Sequence, residues 1–285
     1  MADERAIGFF DSGVGGLTVL REVVRRLPSE STVYLGDNAR APYGPRSDDE
    51  VTRFSTECLD ELAARDVKAI VVACNTASAV ALGALRRRYD VPILGVVRPG
   101  ASAAALATRS RRVGVIATQA TVRSRAYFGA IKDENPFLEV YEHATPDLVP
   151  MVEAGVLDGP EAVATVRRAL APFLGGQAAA EDAVFPIPSG ESIDTLLLGC
   201  THYPLLAPII GALMGPTVAV IDSASATASA LASLLEVNGL MAPAGVDTRH
   251  VQYTTGDRGA FARTTEQLFG SLFAPVESLE LVGAA

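Results

Sequence analysis

Lysine is scarce in this chain. Of 24 basic side chains only Lys68 and Lys132 are lysines, and the rest are arginines. Few candidates therefore exist for a lysine that carries a Schiff-base cofactor. Lys68 directly precedes an aliphatic run and Lys132 sits in "IKDEN" at a helix end, and neither position suits that role. Positive charge is also short, with a formal net charge of -9. That excludes the clustered basic footprint of a nucleic-acid or anionic-membrane partner. Cysteine occurs 3 times, at Cys58, Cys74 and Cys200. So sparse and odd a count is no disulfide framework and suits a reducing, cytoplasmic compartment. No run approaches the ~18 apolar residues of a membrane helix, and the polar start Met1 to Arg5 has no signal-peptide core. The first strand pattern begins almost at once, so no regulatory extension is expected before it.

What the chain has is length and apolar content. Its 285 residues are 49% hydrophobic and 20% charged, which excludes disorder and suits two ordinary cores. Short β-branched runs alternate with helical patterns. Strands are expected at 6–10, 32–36, 69–73, 93–97, 112–117, 138–142, 195–198, 218–221 and 250–253. Helices are expected at 17–27, 48–65, 77–89, 121–132, 161–174 and 226–238. Such alternation predicts an α/β fold with mostly parallel sheets. Several strands are unbroken Val/Ile/Leu runs, as in sheets covered on both faces.

The pattern also repeats. "AIVVACNTA" (69–77) resembles "TLLLGCTHY" (195–203), and "AIGFFDSG" (6–13) more weakly resembles "RVGVIATQ" (112–119). The two offsets differ by about the length of a Gly-, Ala- and Pro-rich stretch at 175–192, which reads as an inserted loop. Two related α/β halves are expected, the second carrying this insertion.

Open parallel sheets place ligands at strand carboxyl ends. After the first strand comes "DSGVGGLTVL" (11–20), a Gly-rich turn opening a helix. It is neither a dinucleotide fingerprint nor a P-loop, and Asp11 would repel a phosphate. Asp11 and Ser12 are candidates for catalysis or for a helix cap. Cys74-Asn75-Thr76 and Cys200-Thr201-His202 each end a buried strand just before a helix start, where a thiol is readily activated. Cys58 lies within a helical pattern and reads as core. No Cys-x-x-Cys pair is present, and His143 and His250 add no ligand pattern, so no metal is expected. The turn "APYGP" (41–45) and Glu153, a carboxylate in the largely apolar stretch 145–155, complete the candidates.

Together these segments resemble the glutamate racemases of the cofactor-independent aspartate/glutamate racemase superfamily. The matching stretches are "FFDSGVGGLTVL", "YLGDNARAPYGP", "VVACNTASA", "GVIATQATVRSRAY", "PDLVPMVEAG" and "LLLGCTHYPLL". They run in order from about residue 6 to about residue 225. The resemblance implies two α/β domains with the active site between them. The first would comprise 1–98 and a returning segment 214–285, and the second 99–213. It implies no cofactor and no metal, Cys74 and Cys200 as catalytic bases, and Glu153 as an assisting acid. It implies substrate contacts at Asp11, Ser12, Tyr43, Gly44, Asn75, Thr76, Thr118, Thr121, Thr201 and His202. It further implies glutamate as substrate, D-glutamate supply for peptidoglycan and hence cell-wall biogenesis and cell shape, and a homodimer. Thr145 stands where the family often has Cys, and Arg98 where it commonly has an apolar or acidic residue.

Inverting an α-carbon means removing a weakly acidic proton on one face and returning one on the other. Two opposed thiols, one ionised and one protonated, perform this without pyridoxal phosphate. Asp11 and His202 are the expected proton partners of the thiols. By the resemblance, Cys74 acts on the D enantiomer and Cys200 on the L enantiomer. Three alternatives stay open: racemisation of aspartate or another acidic amino acid, a silent two-domain amino-acid-binding protein, and a thiol hydrolase built on a Cys–His pair.

Overall fold

The computed structural model describes residues 3–174, 191–273 and 275–281. Most of the expected insertion at 175–192 lies outside the described residues. Ten strands form two sheets: β1 Ile7–Asp11, β2 Thr32–Gly36, β3 Ala69–Val72, β4 Ile93–Gly95, β5 Arg112–Ala117, β6 Glu139–Ala144, β7 Thr195–Gly199, β8 Ala219–Asp222, β9 His250–Thr254 and β10 Val276–Ser278. The larger sheet has the order β10-β9-β2-β1-β3-β4 and the smaller β6-β5-β7-β8. Every pairing is parallel. The repeat is visible in the topology, since β2-β1-β3-β4 and β6-β5-β7-β8 have one strand order. Thus β3 with Cys74 corresponds to β7 with Cys200.

Parallel strands need crossovers, and helices supply them on both faces. One face of the larger sheet packs on helices Leu17–Arg26, Ser223–Val237 and Arg258–Phe269, the other on Asp48–Ala63, Asn75–Val80 and Leu82–Arg88. The smaller sheet lies between helices Leu148–Glu153, Gly159–Ala169 and Ala207–Met214 on one side and Val97–Ala107, Gln119–Ser124 and Ala126–Glu134 on the other. Double cover explains why β1, β3 and β7 are buried along their whole length.

The differences from the sequence expectation have local causes. The expected helix at 121–132 is two helices, broken at Arg125, whose φ of 57° is left-handed. Helices Val97–Ala107, Leu148–Glu153 and Ala207–Met214 were not expected. Each holds a proline in its first turn (Pro99, Pro150, Pro208), where no backbone donor is lost, so a residue read as a breaker is tolerated. β8 belongs to the smaller sheet, through the register Leu196↔Val220 and Leu197↔Ile221. The chain therefore returns to the larger sheet after Asp222, not near 214, because the outer edge of β7 needs its fourth-strand partner. No helix among the described residues is long and apolar enough to cross a membrane.

Lys68 is buried and paired. Its Nζ lies 2.5 Å from Glu30 Oε2, with side-chain exposures of 0% and 2%, and donates to the Asp3 carbonyl at 2.6 Å. Glu30 Oε1 accepts from the Ala242 N–H at 2.8 Å, so the pair ties the amino-terminal segment to the chain after helix Ser223–Val237. Removing one partner leaves a buried charge uncompensated. Lys68→Met is expected to cost about 3–5 kcal/mol in urea unfolding, and Lys68→Met with Glu30→Gln distinctly less.

Candidate active site

The carboxyl ends of β1, β2, β3, β5, β6 and β7 surround one cavity of about 190 Å³. Its wall includes Ser12, Tyr43, Gly44, Cys74, Asn75 and Thr76 from the larger-sheet half, and Thr118, Thr145, Glu153, Cys200, Thr201 and His202 from the other. Of the expected site residues only Asp11 and Thr121 are off the wall, one layer behind it. Gln119, Val149 and Pro150 also line it, and no sequence signal singles them out; so do Pro42, marked in the sequence only as part of the turn 41–45, and Thr145, marked only as a departure from the family pattern. Arg98 lies elsewhere, exposed and paired with Asp133 at 2.9 Å.

The two thiols occupy equivalent strand ends in unlike surroundings. Cys74 caps helix Asn75–Val80. Its sulfur accepts from the Ala77 N–H at 3.5 Å, and its S–H donates to Ser12 Oγ at 3.5 Å. Burial pushes its pKa up to about 12, the nearby Asp11 carboxylate adds to that, and the Ala77 and Ser12 bonds oppose it. Asp11 is itself fully buried, and Oδ2 accepts from the Gly13 N–H at 2.9 Å. Burial raises its pKa, while the His202 charge and the N–H groups of Gly13 and Gly16 pull it back.

Cys200 has a different partner. Its sulfur lies 3.8 Å from His202 Nδ1, and His202 Nε2 lies 3.2 Å from Glu153 Oε1. Burial alone would depress the imidazole, but the bonds to Cys200 and Glu153 outweigh it and raise His202 to about 10. An imidazolium beside this sulfur is a ready counter-charge when the sulfur is negative.

The halves are joined at the cavity by hydrogen bonds. Thr18 Oγ1 donates to the Thr201 carbonyl at 3.1 Å, and Asn75 Nδ2 donates to Tyr127 Oη at 2.6 Å. Thr76 Oγ1 lies 2.9 Å from Thr118 Oγ1, which lies 3.0 Å from Thr121 Oγ1. The Ala120 N–H donates to the Gly44 carbonyl at 3.1 Å. Among the described residues no cluster of three or more His, Cys, Asp or Glu side chains could hold a metal ion.

This fold and site define a class: two repeated α/β halves presenting paired thiols to one enclosed cavity. The Asp/Glu/hydantoin racemase family model matches residues 7–231. A glutamate racemase from Oceanobacillus iheyensis is 45% identical over 93% of this chain and 92% of its own, and one from Geobacter metallireducens is 44% identical over 97% of each. Among solved structures, glutamate racemase RacE1 of Bacillus anthracis matches with a TM-score of 0.89 at 40% identity over 98% of both chains. The Francisella tularensis glutamate racemase, solved with D-glutamate, matches with a TM-score of 0.86 at 32% identity over 98% of this chain and 99% of its own. The chain belongs to the Asp/Glu/hydantoin racemase family, and is therefore an isomerase.

Gly15 sits where the halves touch. A Cβ there would lie 2.5 Å from both His202 Nδ1 and Thr201 Oγ1. Gly15→Ala must therefore displace the Cys200-Thr201-His202 turn. Displacements near 1 Å cost roughly 100-fold in rate. Racemisation by Gly15→Ala is expected to fall by about that factor, in kcat more than in KM, as measured by polarimetric kinetics.

Proposed function

We propose that this enzyme interconverts L-glutamate and D-glutamate without a cofactor, Cys74 and Cys200 serving as bases on opposite faces of the α-carbon. The observation that carries this reading is the pair of thiols at equivalent strand ends of two repeats, both on the wall of one cavity. The two related domains would meet at this cleft, the second extending through β8. The neighbours' substrates agree, since the Francisella tularensis structure holds D-glutamate and an Escherichia coli glutamate racemase, matching at a TM-score of 0.76 and 29% identity, holds L-glutamate.

The unlike surroundings divide the roles. With its pKa near 12, Cys74 keeps its proton at neutrality and is ready to donate it. Cys200, beside the His202 imidazolium, takes the α-proton of L-glutamate. The carbanion is then protonated from the opposite face by Cys74, giving D-glutamate. The reverse reaction begins with Cys74 as thiolate, its proton passed to Asp11, and with Cys200 as thiol, protonated by His202; Cys74 then takes the α-proton and Cys200 donates its own. Ser12, Asn75, Thr76 and Thr201 hold the α-carboxylate and ammonium, and the Tyr43-Gly44 turn takes the distal carboxylate. No Lys or Arg is among the described residues that line the cavity, so N–H dipoles, hydroxyls and His202 meet the substrate's negative charge. The enzyme would act in the cytoplasm and supply D-glutamate to peptidoglycan. Within the class, aspartate is the second substrate to test, because the contacts to the α-carboxylate and ammonium serve any α-amino diacid.

Cys74→Ser and Cys200→Ser are each expected to lower racemisation by at least ~1000-fold, since one face then lacks its acid–base group. Chiral chromatography after incubation in deuterated water measures this together with α-deuterium incorporation; near-normal turnover by either variant would refute the two-base reading. A second expectation concerns pH. The stability that the His202 charge lends is fully present below the imidazole's ordinary 6.5, and the charge itself is lost as pH rises through about 10. Activity should therefore fall on the alkaline side, and Glu153→Gln should shift that fall to lower pH, because it removes one of the groups that raise His202. A pH–rate profile with an unmoved alkaline limb would contradict this role for Glu153.

A further inference from the structure

A buried polar cluster stands behind the Pro42–Gly44 turn and takes no part in the proton transfers above. Its centre is Asp37, just past β2, with no exposed surface. The Asp37 N–H donates to the Asp11 carbonyl at 2.9 Å, which fixes this corner to the end of β1. The Asp37 carboxylate accepts three side-chain donors. Tyr43 Oη donates to Oδ2 at 2.5 Å, Arg40 Nε donates to Oδ2 at 2.7 Å, and Thr255 Oγ1 donates to Oδ1 at 2.7 Å. Arg40 is itself paired with Glu57 and lies 4.3 Å from the centre of the Phe54 ring. The Tyr43 ring packs between Phe10 and Phe54, at centroid distances of 6.2 and 5.8 Å.

The consequence for the site is geometric. Tyr43 is on the cavity wall but spends its hydroxyl on Asp37, so the phenol is an anchor and not a substrate ligand. The charges in the cluster are two carboxylates and one guanidinium, so it offers no net positive charge to a second carboxylate. Its influence is on where the turn stands. The turn is clamped on one side by Asp37 and on the other by the Ala120 N–H at the Gly44 carbonyl. A Cβ on Gly44 would already meet Thr118 at 3.1 Å, so the turn has little room to shift toward the opposite wall.

We propose that Asp37 is a positioning residue that sets the distance from the Tyr43-Gly44 turn to the thiols, and thereby selects the chain length of the acidic amino acid. This rests on the reading that the turn receives the distal carboxylate. A substrate one methylene shorter leaves that turn unreached, so loosening the clamp should weaken glutamate selectively. Binding at the distal end, alike in ground and transition states, appears in KM and not in kcat.

The test uses the full-length enzyme and the variants Asp37→Asn, Tyr43→Phe and Thr255→Val. Each is assayed for kcat and KM with D- and L-glutamate, and for the inhibition constant of aspartate against glutamate turnover. Tyr43→Phe and Thr255→Val remove one donor each while keeping shape, so they remain informative if Asp37→Asn fails to fold. The expected result is a KM for glutamate raised roughly tenfold or more, from loss of a bond to a charged acceptor, with kcat falling by no more than about threefold. The aspartate inhibition constant should move less than about twofold. Equal weakening of glutamate and aspartate would show a merely structural role and overturn the proposal, as would unchanged KM values in folded Tyr43→Phe and Thr255→Val. Failure of the unaltered enzyme to racemise glutamate would instead overturn the substrate reading itself, a result the wild-type assay gives separately.

Discussion

A parallel strand cannot be closed by a tight turn, and the rest of this molecule follows from that constraint. Every strand passes its chain to a crossover that starts from the same edge of the sheet. All the functional corners of each sheet therefore fall on one side. When the two sheets face each other along those edges, six corners converge on a single cavity. Nothing else brings Cys74 and Cys200, separated by more than a hundred residues, to the same cavity wall. The glycine at position 15 lets the corners close to contact, and the Thr18–Thr201 and Thr76–Thr118 bonds hold them there.

Apart from the His202–Glu153 pair, charge is kept one layer back from the cavity. Asp11 and Asp37 lie behind the wall, and the Arg40–Glu57 pair lies behind Asp37. The wall itself carries thiols, hydroxyls, the carboxamides of Asn75 and Gln119, and the His202–Glu153 pair. On the proposed reading, a site that binds a doubly carboxylated substrate and still lets a carbanion form would gain from this arrangement. Fixed dipoles and His202 would meet the substrate's charge with no Lys or Arg among the described lining residues to hold it too firmly in the ground state.

Much of this was legible in the sequence because the chemistry sits in short, local signals. An aliphatic run followed by Cys and two polar residues marks both Cys74 and Cys200 at strand ends, and both are on the wall. Glu153 stood out as a carboxylate among apolar neighbours, and it meets His202. What was not legible depends on tertiary contact. Gln119, Val149 and Pro150 reach the cavity only because short helices happen to point there. Lys68 lies away from the cavity, and its partner Glu30 is 38 positions away with no local pattern to link them. β10 is three residues long at a sheet edge, too short for a periodic signal. The Asp37 cluster was missed because Asp in a turn is ordinarily read as turn chemistry.

The duplication and its divergence answer different needs. On the proposed two-base reading, repeating one strand order would supply the geometric requirement, two like groups approaching one atom from opposite sides. Identical surroundings would give two thiols of equal proton affinity, and neither would be held ready as donor while the other was ready as base. The residues that follow each sulfur break that equality. After Cys74, Asn75-Thr76-Ala77 begins an α-helix whose amide caps the sulfur, and Asp11 adds negative charge nearby. After Cys200, Thr201-His202 leads into a tighter 3₁₀ turn at Tyr203–Leu206, which leaves the imidazole at the sulfur and Glu153 behind it. The two halves thus share a backbone plan while placing opposite charge beside their thiols. On the proposed two-base reading, that asymmetry would let a nearly symmetric cavity keep a proton on the Cys74 side before turnover begins.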